Sequence, residues 1–453
     1  MAGEGLARHR EKVLGERNIL RLMLWLAAPM FVSASLSSLY ELVDTFWLSR
    51  LGDAALATPT VSWPYRGVLM SISFGLASSL SALVGQYVGA GKIREAEKSI
   101  GTVAGLLAAI VVPGSLLLAA ITPLYLEAIG VPPSVRVLAA RYLTVLVLAT
   151  PFSAAFMLFT FAVSAAGDTR TPMYISAAAT LINAVLDPVL IFSAGLGVLG
   201  AALATAAANM FSAAYAVYSF ATGRHGVKLG LRDLVPDPGI ARLVARVSLP
   251  ITAQRLGTSL GFVGMVGIVS GLGKHVIAAY SIGQVMLSID HIIVFPLARA
   301  TSIVVGQALG AGMEHRARRA AYTGLAVVTA AAAAYIAALE AAAGPFIAVF
   351  TRSPATYEAA LHMIRIFAPS VIGFDVFIVA NVVARASGHT LPVSILGLAR
   401  LWGLRIPLSW LLAYRLGMGD KGLWTGMAIS NCATGAAAAA WLLSGTWAEK
   451  IID

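Results

Sequence analysis

The chain has 453 residues, of which 58% are hydrophobic and 12% charged, with a net charge of +11. A soluble globular domain carries about 25% charged residues, so this composition excludes a single water-solvated core and points to lipid as the solvent. The one cysteine, Cys432, excludes an intrachain disulfide and a cysteine metal site, and the basic charge is spread over loops rather than gathered into a nucleic-acid face.

Residues 1–17 are polar and charged and lack the short apolar core of a cleaved signal, so the first span is read as part of the mature protein. Apolar stretches of about 20 residues or more predict twelve spans. The first six are read at about 20–49, 55–88, 97–122, 135–166, 171–193 and 197–222. The second six are read at about 241–271, 276–309, 318–343, 356–386, 392–415 and 422–447. Glycine, proline and charge mark most joints. The longest polar stretch, 223–246, holds Arg224, Lys228, Arg232, Arg242 and Arg246. The expected organisation is an N-lobe over 1–222, a linker over 223–240 and a C-lobe over 241–453.

The two halves repeat. Val84-Gly85-Gln86-Tyr87-Val88-Gly89-Ala90-Gly91 returns 221 residues later as Val305-Gly306-Gln307-Ala308-Leu309-Gly310-Ala311-Gly312. The same offset pairs Pro29 with Pro250, Leu51-Gly52 with Leu272-Gly273, and Gly167 with Gly388. Four landmarks on one gapless offset imply a duplication. Six spans per half make the repeats parallel, so the expected fold is all-α: twelve transmembrane helices in two six-helix lobes, related by a pseudo-two-fold along the membrane normal. The Gly-Gln-x-x-Gly-Ala-Gly segments lack the strand and the Lys-Ser/Thr of a phosphate loop, and read as helix ends with glycine stops.

Basic residues set the orientation. The N-terminal segment, the linker and the loops on that side carry most of the Lys and Arg, among them Arg8, Arg10, Lys92, Arg94, Arg316 and Arg319. The opposite side has only Arg50, Arg136, Lys274, Arg352, Arg415 and Lys421. Both termini are therefore expected in the cytoplasm of a multi-pass protein of the cell membrane.

Acids inside spans are the sharpest functional signal, since a carboxylate at mid-bilayer costs about 2.5–3.5 kcal/mol even on a lenient scale. In the first span Ser33, Ser37, Tyr40 and Asp44 are spaced to share one face, with Glu41 beside them and Pro29 as an expected kink. In the fifth span Asn183 and Asp187 lie four apart, and Pro188 frees a carbonyl one turn back. Carboxylates, an amide and free carbonyls suit sodium or a proton. Thr205 is the one hydroxyl on the small-residue face of the sixth span. The second half places Met265 and Phe262 where the first has Asp44 and Glu41. It holds Asp290, His291 and Asp375 instead, with Arg255, Arg299, Arg400 and Arg405, and ion pairs between these acids and arginines are the simplest expectation.

Taken in order, several segments resemble the multidrug and toxic compound extrusion (MATE) family of cation-coupled exporters over about residues 19–447. They are Pro29 with Asp44-Thr45-Phe46 and Leu51-Gly52, both Gly-Gln-x-x-Gly-Ala-Gly segments, Ala166-Gly167-Asp168-Thr169, Asn183 with Asp187-Pro188, and Gly200 to Thr205. The first-half acids are similar to those of the archaeal and DinF-like branch. That resemblance implies a coupling-ion site for H⁺ or Na⁺ at Asp44, Asn183, Asp187 and Thr205, with Tyr40, Glu41, Ser37 and Tyr142 lining the cavity. Other branches carry an acid in the seventh span, where this chain has Gln254-Arg255. Asp375 is similar to their tenth-span acid, and Gln254 and Asp375 are taken as cavity residues of the C-lobe. The expected function is a secondary antiporter, not an enzyme, needing no cofactor beyond the ion. It would act as a monomer and expel amphipathic, cationic drugs or toxic compounds by alternating access. The alternative is a lipid-linked oligosaccharide flippase of the same superfamily, whose pyrophosphate the arginines would suit.

Overall fold

The computed structural model describes residues 2–452, and the chain is all-α. Helices α1 (Ala2–Gly15), α2 (Ile19–Ser49), α3 (Asp53–Gly89), α4 (Ile93–Ala128), α5 (Pro133–Leu148), α6 (Thr150–Ala165), α7 (Arg170–Pro188) and α8 (Val198–Thr222) make up the first half. The second half contains α9 (Pro238–Gly271), α10 (Lys274–Gly310), α11 (Glu314–Ala341), α12 (Ala343–Phe350) and α13 (Pro354–Ser387). It ends with α14 (Thr390–Leu398), α15 (Ile406–Trp410) and α16 (Gly419–Ser444). Among the described residues ten helices or continuous helical segments are long and apolar enough to cross a bilayer, and α5 with α6 forms an eleventh span bent by 40°. Pro151 sits just past that bend, where it cannot donate to the carbonyl one turn back. α9, with 34 residues, has the length of a twelfth; Gln254, Arg255, Thr258 and Ser259 dilute its apolar character.

The spans follow the sequence pattern to within a few residues, and the departures have local causes. α4 runs on through Pro123 to Ala128, because one proline removes a single hydrogen bond; it stops at Gly130, which has φ 71°. A two-turn helix, α12, occupies a segment read as a joint, and its Ile347 is fully buried. The charged N-terminal segment is itself helical. Leu6 and Val13, two turns apart, are buried, and Arg10 donates from Nε (3.1 Å) and Nη2 (3.0 Å) to the Gly89 carbonyl at the end of α3.

The duplication is visible in the backbone. α3 and α10 both end in the repeated glycine segment, where the Lys92 and Met313 N–H groups donate back to Tyr87 and Ala308. Gly91 (φ 76°) pairs with Gly312 (φ 71°), and Gly167 (φ 101°) with Gly388 (φ 84°), each 221 residues on. α7 passes through Pro188 into a π-helical turn, Val189–Ser193, and the matching span has π-helical turns at Ala399–Arg405 and Leu411–Arg415 around Pro407. A Cβ at Gly200 would lie 2.6 Å from the Leu190 carbonyl carbon, and one at Gly422 2.6 Å from that of Leu412. Glycine is therefore required where α8 and α16 start against these widened turns.

The helices group into two compact units. The first holds residues up to Glu16 and Ala28–Thr252; the second holds Arg17–Ala27 and Ala253–Ile451. α2 and α9 each change unit next to a proline, Pro29 and Pro250 respectively. The first unit has apolar clusters around Leu48, Tyr142, Ile191 and Ala202, and around Tyr65, Leu126 and Leu143. The second is built around Met286, Met363, Phe367 and Trp424. Leu42, Leu117, Leu181 and Val185 remain exposed, as expected of side chains whose solvent is lipid.

The linker is strapped to the first unit. Arg94 of α4 pairs with Asp233 (2.6 Å) and Glu97 (3.1 Å), and Glu97 accepts the Lys228 backbone N–H (2.8 Å). Asp168, in the loop before α7, accepts from Thr171 Oγ1 (2.6 Å), from the Thr171 and Arg170 N–H groups (3.0 Å each) and lies 3.4 Å from His225 Nδ1 in the linker. Burial alone would raise this carboxyl, but the bonds from His225 and Thr171 hold it down to about 2. A pKa below the unfolded value stabilises the fold above the ordinary carboxylate range, and that contribution is lost as pH falls from about 4 through 2. Asp168→Asn should therefore cost about 2 kcal/mol at pH 7, a drop of about 4–8 °C in melting temperature. Thermal melts of both proteins should converge as the pH approaches 2.

Candidate functional site

In the first unit α2, α5, α7 and α8 bring together six of the residues singled out in the sequence. Asn183 and Asp187, one turn apart on α7, are fully buried. With its amide oriented to satisfy both ends, Asn183 donates to Asp187 Oδ2 (3.1 Å) and accepts from the Thr205 backbone N–H of α8 (3.3 Å). Thr205 Oγ1 lies 2.8 Å from the Tyr40 hydroxyl of α2. One turn along α2, Asp44 is within electrostatic reach of Asp187, and both reach the buried Tyr142 of α5. Asp44 Oδ1 is buried without a hydrogen-bond partner among the described residues. The hydrogen bonds close a chain from Tyr40 through Thr205 and Asn183 to Asp187, and Asp44 stands beside it with an oxygen unused.

Local structure explains the convergence. The turn after Pro188 is π-helical, so Asp187 precedes a stretch with loosened i→i+4 pairing. Gly200 lets α8 approach that turn closely, which brings Thr205 to Asn183. Trp47 packs edge-on against Phe192 of the same turn (5.7 Å between centroids) and ties α2 to it.

Other residues fall outside this cluster. Ser37 is exposed and bonds the Ser33 carbonyl (3.0 Å), as Ser33 bonds that of Pro29 (3.1 Å), so these hydroxyls serve their own helix. Glu41 is exposed, although within electrostatic reach of Asp44. Gln254 and Asp375 belong to the second unit, where Gln254 accepts from Asn381 (3.3 Å).

Arg66 of α3 was missed in the sequence. It lies within electrostatic reach of Tyr40 and Tyr142 and donates to Ser153 Oγ (3.1 Å), with its Nε buried and unpartnered among the described residues. The signal was present, since a lone arginine between Pro64 and Gly67 in an apolar span is as costly as an acid.

The expected pairing of second-unit acids with arginines is not found. Asp290 of α10 and Asp375 of α13 are fully buried and face each other, and neither forms an ion pair among the described residues. Arg400 and Arg405 turn instead to Asn431 of α16. The physical reason is position: two acids on adjacent helices meet each other, while the π-helical turn carrying the arginines packs on α16.

The MatE family profile matches residues 29–189 and 250–411, one copy in each half, with starts 221 residues apart at Pro29 and Pro250. The chain is 24% identical over 417 residues to the probable multidrug resistance protein YoeA of Bacillus subtilis, covering 90% of each. It is 25% identical over 425 residues to an FAD transporter of Shewanella oneidensis, covering 92% of this chain and 93% of that one. Its fold is similar to that of a MOP superfamily transporter from Pyrococcus furiosus, with a TM-score of 0.89 at 20% identity over 96% of this chain and 97% of the other. With the profile spanning most of both halves of this duplicated membrane fold, the chain belongs to the MatE family.

Proposed function

We propose that this protein is a secondary antiporter that exports amphipathic, cationic compounds across the cell membrane in exchange for H⁺ or Na⁺. The observation that carries the reading is the Asp44–Asp187 pair, completed by Asn183, Thr205 and Tyr40 in the interior of the first unit. Two carboxylates close together in a low-dielectric interior repel, and a proton or a sodium ion relieves the repulsion. The amide and hydroxyls supply the remaining oxygen ligands. Ion entry then favours the return to the inward-facing state, and one charge crossing 100 mV supplies about 2.3 kcal/mol. Pro29 and Pro250 stand where helices pass between units and serve as hinges, with both termini and the 223–240 linker cytoplasmic. Tyr142, Glu41, Ser37, Gln254 and Asp375 are the substrate-side residues of this reading, and the protein acts as a monomer. The first-unit residue set supports placement near the archaeal and DinF-like branch, although the relatives described above are bacterial.

A phosphate-bearing substrate is the second reading. It is favoured by the FAD transporter among the relatives and by Arg385 of the second unit, which lies within electrostatic reach of both Arg255 and Arg299. The lipid-linked flippase belongs to this reading. Arg400 and Arg405, which the sequence offered for its pyrophosphate, are engaged by Asn431 and Ser430.

Sealed vesicles under separately imposed pH and sodium gradients test both. A cationic dye should be exported when either gradient is applied in the driving direction, and Asp375→Asn should keep at least half of that rate, because Asp375 faces Asp290 and forms no ion pair among the described residues. No dye movement under either gradient, with FAD moving instead, would replace the first reading by the second.

A further inference from the structure

Arg400 and Arg405 stand at two ends of one π-helical turn, whose i→i+5 pairing brings them to a common side. Both are buried, 5% and 4% exposed. Arg400 Nη1 donates to Asn431 Oδ1 (3.3 Å), and Arg405 Nη2 donates to the same oxygen. Arg405 Nε donates to Ser430 Oγ (3.1 Å), and the Asn431 amide donates to Ser370 Oγ (3.2 Å). The Arg400 guanidinium lies 4.4 Å from the centroid of Phe374, and that of Arg405 lies 5.8 Å from Phe367.

This arrangement holds two cations on one neutral oxygen. Each guanidinium has five N–H donors, so most are left over, and Arg400 Nε is buried without a partner among the described residues. No carboxylate among the described residues forms an ion pair with either arginine. The charged group in reach of Arg400 is Arg405, and the titratable group in reach of Arg405 is the phenol of Tyr280. Asp290 and Asp375 are turned to each other. Ring faces and amides offset only part of the cost of two like charges inside a membrane-embedded unit, and an anion between the guanidiniums would offset far more.

We propose that Arg400, Arg405 and Asn431 form a binding site for a small inorganic anion of the halide class, with Tyr280 beside it. The size follows from burial: the two arginines are buried as whole residues and their guanidiniums lie against phenylalanine rings, which leaves no approach for a phosphate ester or a headgroup. The site is distinct from the first-unit carboxylates and concerns the folded state of the second unit rather than transport.

The test uses the purified full-length protein in detergent, melted at equal ionic strength in chloride, bromide, phosphate or gluconate. Chloride and bromide should raise the melting temperature saturably by several degrees over gluconate. Arg400→Gln should abolish that rise, and Asn431→Asp, which supplies its own negative charge, should melt identically in all four salts. Equal melting of wild type in chloride and gluconate, a rise with phosphate alone, or a full chloride response in Arg400→Gln would each overturn the proposal. Should either variant fail to fold, equilibrium binding of radioactive chloride to the wild-type protein decides. Saturable binding near one ion per chain supports the site, and no saturable binding overturns it.

Discussion

Asp44→Asn should yield a folded, membrane-inserted protein that exports no substrate, with efflux reduced to that of protein-free vesicles. The substitution keeps size and shape and removes one charge, so the apolar contacts around Leu48, Tyr142 and Ile191 are unaffected. What it removes is the repulsion between Asp44 and Asp187. In the proposed mechanism, a protein in which that repulsion is permanently relieved has nothing left for a coupling ion to change, and an ion that does not distinguish two states cannot drive the transition between them. Asp187→Asn should behave the same way, since Asn183 can bond an amide as well as a carboxylate. Asn183→Ala should weaken ion coupling more than drug binding, because it deletes the link from Asp187 to Thr205 and leaves both carboxylates in place. Dye efflux from vesicles with matched protein content measures all three. Wild-type export by Asp44→Asn would remove the carboxylate pair from the mechanism, wherever the drug binds.

The span boundaries and the duplication were legible in the sequence because they rest on local chemistry. Helix length, glycine stops and a 221-residue offset need no knowledge of packing, and Gly91 and Gly312 adopt the positive φ that their place at a helix end predicts. The two carboxylates and Asn183 were legible because each is costly in lipid and sits at helical spacing from another polar residue. Thr205 and Tyr142, each the cluster's one residue on its helix, entered the site only through the family resemblance. Partner choice was not legible. Asp290 and Asp375 could have met arginines by charge alone; that they meet each other depends on how α10 and α13 rotate, which no spacing encodes. Arg66 was overlooked for the opposite reason, as a single basic residue with no periodic companion. The helical nature of the N-terminal segment was hidden by its charge, since two buried residues, Leu6 and Val13, suffice to seat it.

Asn431→Leu should prevent the second unit from folding, although it replaces one side chain by another with the same branching. The amide oxygen accepts from both Arg400 and Arg405, and the amide nitrogen donates to Ser370. Leucine deletes all three bonds at a position that is 1% exposed, where water cannot take the amide's place. Removing a hydrogen-bond acceptor from a buried charged group costs about 1.5–3 kcal/mol, and here two guanidiniums each lose one, about 3–6 kcal/mol together. Ser430 and the rings of Phe374 and Phe367 remain, but they were already in contact and gain nothing. A penalty of this size is comparable with the whole stability of an ordinary domain, about 5–15 kcal/mol, so aggregated or degraded protein is expected in place of a modest shift in melting temperature. Asn431→Asp has the opposite sign: it sets a carboxylate between two guanidiniums and should fold at wild-type yield. Yield after detergent extraction and size-exclusion chromatography separates the two outcomes. A monodisperse Asn431→Leu protein at wild-type yield would mean that the arginines find other acceptors, and that the amide is not what makes two buried cations tolerable in this unit.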